Sequence, residues 1–231
     1  MSIPKVIHYC WFGRGEKSEL MKMCIASWKK YCPDWEIIEW NEDNYDVNFC
    51  QYTAKAYRER RWGFLPDAAR LDIIYRHGGV YFDTDVELKR PIDELLDNDA
   101  WFGYATDTEI GAGVGFGAVK GHPFIMKLLE QYLTWDEKRE FTVCTTTDAK
   151  VFYNELPGFA GDCRVRQEIN GVLLLNNIWD YATHHYTHTW MSKRQKFLRQ
   201  FEVYNWLARM KGKLVRSMQK LVYRINSQRR K

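Results

Sequence analysis

Two carboxylates, Asp83 and Asp85, stand two positions apart at the end of a short apolar run, Val80–Phe82. On an extended strand, residues i and i+2 face the same side. Both could then converge on one divalent cation at the carboxyl end of a strand, where open α/β sheets place their ligands. Hard oxygen donors suit Mg2+ or Mn2+, which retain waters and bridge a diphosphate. The competing reading is a solvated turn, because an isolated D-x-D is a short pattern. Thirteen residues upstream of Asp83, Arg70 lies three positions after Asp67, on one helical face. Alone, that spacing also describes an exposed local ion pair worth about 0.3 kcal/mol. The order D-x-x-R, then G-G-x-Y-x-D-x-D, sets an acid and a permanent cation beside the carboxylates.

The elements that must position these groups are legible from pattern. Val6–Phe12 is an apolar run closed by Gly13 and Gly15, the mark of a buried first strand and a loop. Ser18 can cap a helix reaching about Tyr31, and Trp35–Trp40 alternates as a second strand. A helix is expected over Thr53–Arg61. Another starts at Pro66 and ends at Gly78-Gly79. Val80–Phe82, Ala100–Tyr104, Phe116–Val119 and Val172–Leu175 read as strands, with a helix between about His122 and Trp135. Strands alternating with helices predict an open α/β sheet.

The 231 residues suffice for one such domain and are short for two. Hydrophobic residues at 45% and charged residues at 28% are ordinary for a folded soluble chain. No apolar run approaches the roughly 18–20 residues needed to span a bilayer, and MSIPKVIHYCWFG lacks the pattern of a secretory leader. The expectation is therefore neither a secreted, a disordered nor an integral membrane protein. Aromatic residues reach 16%, with ten Trp, which hints at stacking surfaces beyond the core. Cys10, Cys24, Cys32, Cys50, Cys144 and Cys163 form no C-x-x-C pair, so they read as reduced thiols packed as small apolar groups.

The segment FLPDAARLDIIYRHGGVYFDTDVE closely resembles the sugar-binding region of DXD-containing glycosyltransferases of the initiation-specific mannosyltransferase and capsular-polysaccharide type. Large clostridial glucosylating toxins share a related core. IPKVIHYCWFG resembles that family's opening strand, and His184 with Thr189-Trp190 resembles its His followed by Ser-Trp. The likeness thus runs from about Ile3 to Trp190. It implies a single GT-A-like nucleotide-sugar-binding domain over residues 1–192, with a mostly parallel open sheet.

It also implies roles. Asp83 contacts the ribose or sugar of the donor, and Asp85 binds Mn2+ or Mg2+ through to the diphosphate, with Asp83 and His184 completing the metal site. Arg70 contacts the donor sugar or phosphate, Asp67 holds sugar hydroxyls, Trp11 stacks on the base, and Trp190 covers the sugar-diphosphate. His8 alone reads as a core histidine; the resemblance sets it, with Tyr81, among the donor-binding positions. Asp83, Asp85 and Arg70 form the catalytic set of a metal-dependent retaining hexosyltransferase. In that chemistry the departing phosphate helps deprotonate the acceptor hydroxyl, and no protein base is required. The expected donor is a UDP-sugar rather than GDP-mannose, and the acceptor a glycan or lipid-linked hydroxyl of surface polysaccharide synthesis. Two segments depart from the family. IGAGVGFGAVKGHPF is Gly-rich where relatives carry Asn or another polar residue, and TVCTTTDAK stands where many carry Gly-Pro.

Residues 193–231 hold thirteen Lys/Arg against one acid, Glu202, whereas the preceding residues carry a net −8. Phe197, Phe201, Tyr204, Leu207, Met210, Leu214, Met218, Leu221 and Ile225 recur at helical spacing among these cations. A basic amphipathic helix predicts peripheral attachment to a membrane surface, here the cytoplasmic face of the cell membrane, rather than nucleic-acid binding. Packing of that helix on the domain is the alternative. Two other functions compete with the transferase. D-T-D-V after an apolar strand also fits a haloacid-dehalogenase-like phosphohydrolase with Asp83 as nucleophile. That chemistry wants a second acidic pair and a positioned Lys downstream. A non-catalytic membrane- or nucleic-acid-binding module driven by the tail would leave Asp67–Asp85 without a purpose.

Overall fold

The computed structural model describes residues 2–176 and 178–187. Trp190 and the basic segment 193–231 lie outside the described residues. A seven-stranded sheet is built from β1 (Val6–Cys10), β2 (Glu36–Trp40), β3 (Gly79–Tyr81), β5 (Ala100–Gly103), β6 (Phe116–Ala118), β7 (Gln167–Ile169) and β8 (Val172–Leu175). Its order is β2-β1-β3-β6-β5-β8-β7. Strands β2, β1, β3, β5 and β8 run one way, while β6 and β7 run against them. The sheet is thus parallel in most of its strands, with one reversed strand in its middle and one at its edge. A separate two-stranded ladder pairs β4 (Val86–Leu88) with β9 (Ala182–His184).

The helices are α1 (Glu19–Tyr31), α2 (Gln51–Arg58), α3 (Leu65–His77), α4 (Pro123–Leu133), α5 (Cys144–Glu155) and the single turn α6 (Ile178–Tyr181). Ser18 caps α1 by accepting from the Met21 amide, as its position predicts. Helix α2 stops three residues short of the expected Arg61, because Arg60 takes a left-handed φ of 55° that a helix cannot continue through. Pro66 lies in the first turn of α3, and Gly78, at φ 71°, ends it. Nine of the thirteen residues of α3 are buried, Asp67, Arg70 and Asp72 among them. A helix enclosed on nearly every side carries polar groups inward only if they find partners there.

Alternation along the strands divides the core into two layers. Tyr81, Ala100, Phe102, Phe116, Ala118, Val172 and Leu174 pack with α2–α5, whereas Ile7, Val80, Trp101, Leu173 and Leu175 pack with Trp28 of α1. The aromatic richness goes largely into this core. The Tyr52 ring meets those of Tyr132, Trp135 and Phe141 at 4.9–5.1 Å, and Phe102 stacks on Phe116 at 5.2 Å. All six cysteines are free thiols. No helix among the described residues is long and apolar enough to cross a membrane.

Candidate active site

A cleft of about 1180 Å3 opens along the carboxyl ends of β1 and β3, lined by Trp11, Asp67, Arg70, Tyr81, Asp83, Asp85 and His184 among others. At its floor lies Arg70, 2% exposed, with Asp67 beside it at 5%. The pair is therefore no solvated local contact. Arg70 Nη2 donates to Asp67 Oδ1 at 2.5 Å, and Nη1 reaches Asp83 Oδ1 at 3.5 Å. Tyr52 Oη donates to the other Asp67 oxygen at 3.3 Å. Burial pushes the Asp67 carboxyl up to about 6, against the pull of Arg70. Burial also works against the charge of Arg70, but its electronegative surroundings, Cys144, Asp67 and Asp83, override that and keep it a cation. Tyr81 sits beneath it, with the guanidinium carbon 5.9 Å from the ring centre.

Asp83 and Asp85 do converge, though not as neighbours on a strand. Strand β3 ends at Tyr81, and the two acids flank a turn in which the Val86 amide donates to Asp83 O at 3.1 Å. A ligand atom from each of Asp83, Asp85 and His184 lies within 4.8 Å of the others. Asp85 Oδ1 accepts from His184 Nε2 at 3.1 Å. Burial would raise the Asp85 carboxyl, but the donors from His184 and Thr187 pull it down to about 2, so it is ionised at neutral pH. An ionised Asp85 makes His184 Nε2 the donor of that bond. Nε2 and Oδ1 are at the same time spaced like two ligands of one cation, which would take the place of that hydrogen. Two carboxylates and an imidazole nitrogen at that spacing fit Mn2+ or Mg2+, which would keep further positions for diphosphate oxygens and water.

The Gly-rich segment acquires a purpose here. Gly113 O accepts from the Asp83 amide at 3.0 Å, and a Cβ on Gly113 would sit 2.1 Å from Asp83 Oδ2. Gly113→Ala is expected to leave the fold intact, because the end of the Asp83 side chain can swing away. The swing takes Asp83 off the cation site, so Mn2+ affinity should fall at least tenfold, on the order of one lost charge-assisted contact. Electron paramagnetic resonance of free Mn2+ checks this; unchanged affinity would remove Asp83 from the site.

At the far rim, Trp11 is half-buried, donates from Nε1 to Gly15 O at 2.7 Å and has Lys17 Nζ 5.3 Å from its ring centre. A second indole, Trp62, also lines the cleft and lies over Gly13, where any Cβ would be 2.7 Å from it. Sequence reasoning gave no hint of Trp62, whose place depends on a glycine 49 positions away. Nor did it find α5, whose first turn (Cys144, Thr145, Thr146) forms a wall of the cleft. Behind that wall Asp148 bonds to Tyr132 Oη at 3.2 Å, and burial raises its carboxyl to about 7.

His8 does not belong among the donor-binding positions. It is buried outside the cleft, accepts from Trp40 Nε1 at Nδ1 (3.0 Å), and donates from Nε2 to Gly78 O (3.0 Å). Burial lowers its pKa to about 4, so the ring is neutral, with both nitrogens engaged in packing β1 against the end of α3. Of the other expected residues, Asp67, Arg70, Tyr81, Asp83, Asp85, Trp11 and His184 are brought together around one cleft.

Comparison with known proteins adds an independent observation. Residues 18–102 match the glycosyltransferase sugar-binding region containing DXD motif. The inositol phosphoceramide mannosyltransferase 3 of Schizosaccharomyces pombe is 30% identical over 140 residues, 55% of this chain and 36% of the yeast protein. The human alpha-1,4-N-acetylglucosaminyltransferase is 38% identical over 79 residues, 34% of this chain and 22% of its own. The matched part of the chain therefore spans about a third of the yeast protein and about a fifth of the human one. Among solved structures, the PaToxG glycosyltransferase superposes with a TM-score of 0.56 at 18% identity, covering 68% of this chain and 70% of that one. At that identity the likeness concerns the fold.

Proposed function

We propose that the protein transfers a hexose from a nucleotide-sugar to a hydroxyl acceptor, with a divalent cation, a reading supported by the match of residues 18–102 to the DXD-containing sugar-binding region of glycosyltransferases. The observation that carries this reading is the convergence of Asp83, Asp85 and His184 within 4.8 Å beside a buried Arg70, at the carboxyl end of β3. A bound cation there would supply positive charge to the diphosphate leaving group. Arg70, almost fully buried at the floor of the cleft, adds a fixed positive charge that would act more strongly on developing negative charge than a solvated one. Asp67 orients Arg70 and offers an oxygen to sugar hydroxyls. Trp11 supplies a face on which a base stacks, worth about 1–3 kcal/mol by analogy with other base-stacking sites.

The two relatives are named for different sugars, so the sugar is not carried over from either. A UDP-hexose is our reading of the donor, and a mannosyl nucleotide is its direct competitor. The acceptor in this reading is a glycan or lipid-linked hydroxyl. The basic segment 193–231 would then hold the enzyme at the cytoplasmic face of the membrane, where a lipid-linked acceptor is presented. Calorimetry of UDP- and GDP-sugars with Mn2+, and again with EDTA, tests the reading. Saturable binding of one donor that disappears with EDTA is expected; no donor binding with either would overturn it. A phosphohydrolase using Asp83 is disfavoured by the cleft itself. Its described lining has no lysine, and Asp83 faces Arg70 and Gly113.

A further inference from the structure

A carboxylate offers about four acceptor sites, two on each oxygen. On Asp85, one oxygen is fully taken by a single residue. Oδ2 accepts from the Thr187 amide and from Thr187 Oγ1, both at 2.8 Å. Oδ1 accepts one bond, from His184, and keeps a lone pair. The partner residue is 102 positions away, and three features deliver it. The β4–β9 ladder sets Val86 opposite His184, and the His185 amide donates to Asp85 O at 2.9 Å. The chain then turns back at Tyr186, whose φ of 49° is an unfavourable left-handed conformation for a residue with a Cβ. Tyr186 Oη is anchored on Ala105 O, and its ring lies 4.1 Å from that of His184.

We propose that Thr187 is a positioning residue for the cation site, with amide and hydroxyl locking the rotation of the Asp85 carboxylate. Oδ2 is occupied by the chain, and Oδ1 is the oxygen offered alongside Asp83 and His184. Asp85 sits in a turn rather than a strand, so its backbone alone does not fix which oxygen faces the cation. The inference rests on the reading of Asp83, Asp85 and His184 as cation ligands. Hydrogen-bonding partners of metal ligands change affinity by about 10–100-fold when removed.

The test uses the full chain and Mn2+ alone, with free Mn2+ followed by electron paramagnetic resonance. Thr187→Val keeps the size and the amide and removes only the hydroxyl; Thr187→Ser restores it. The valine variant is expected to bind Mn2+ about tenfold more weakly, and the serine variant within about twofold of the parent, well below that range. Circular dichroism should not distinguish the three. A valine variant that binds Mn2+ as well as the parent, or better, would overturn the positioning role while leaving the cation site standing. Equal loss in valine and serine variants would also overturn it. A parent that binds no Mn2+ would overturn the cation site itself, and this inference with it.

Discussion

Replacing Arg70 with methionine is expected to cost about 3–5 kcal/mol of stability at pH 7.5, the usual consequence of removing one partner from a buried ion pair. Asp67, Asp83 and Asp148 surround the guanidinium, and without it Asp67 is a buried carboxyl with only Tyr52 and Cys144 as donors. That is a large share of the roughly 5–15 kcal/mol that a domain possesses. The loss should depend on pH. The folded-state pKa of Asp67 is already raised to about 6 by burial, and removing Arg70 raises it further. Between the unfolded value and that folded value the native state holds the extra proton, so stability falls as pH rises through the window. Urea denaturation should therefore find the variant closest to the parent near pH 5 and furthest from it above pH 7. A uniform loss at all pH values would contradict this electrostatic account. Arg70→Lys, which keeps the charge but not the fork that spans Asp67 and Asp83, should recover much of the stability and little of the turnover.

Asp85→Asn should do the opposite, leaving stability nearly alone and removing function. The amide oxygen can still accept from the Thr187 amide and hydroxyl, so the β4–β9 ladder keeps its anchor. The negative charge that makes Asp85 a cation ligand is gone. Turnover should drop about 1000-fold, which corresponds to roughly 4 kcal/mol of transition-state stabilisation. The melting temperature should stay within a few degrees of the parent, a shift of about 1 kcal/mol or less. A variant that retains most of its activity would mean that Asp85 does not hold a catalytic cation.

The contrast between these two variants follows the line between what local pattern reveals and what it hides. Asp67 and Arg70 were legible because a 3.6-residue period puts them on one face, and Pro66 and Gly78 bracket the helix that carries them. The strands were legible for similar reasons of alternation and punctuation. Asp83 and Asp85 converge as their i, i+2 spacing suggests, but across a turn and not along a strand. Strand β3 is only three residues long, and the turn that follows is shaped by Gly113 from another strand's approach. His8 has a residue type that suits a site, and only its two partners, Trp40 and Gly78, settle that it is packing.

Helix α5 was invisible because Thr145, Thr146 and Thr147 have weak helix propensity and no apolar period precedes Val151. Its burial against α4 stabilises it instead. Thr187 and Trp62 share a different obscurity. Their contacts, Asp85 and Gly13, are distant in sequence, and no composition or spacing signals such pairs.

The central claim is that this cleft breaks a nucleotide-sugar bond with a cation held at Asp85. Nucleoside diphosphate release is its most direct test, measured across UDP- and GDP-sugars with Mn2+, with EDTA, and in Asp85→Asn, each with a panel of sugar and lipid-linked hydroxyl acceptors. The account predicts release from one donor that needs Mn2+ and is lost in the variant. Release that persists in EDTA, or that Asp85→Asn leaves intact, would contradict it.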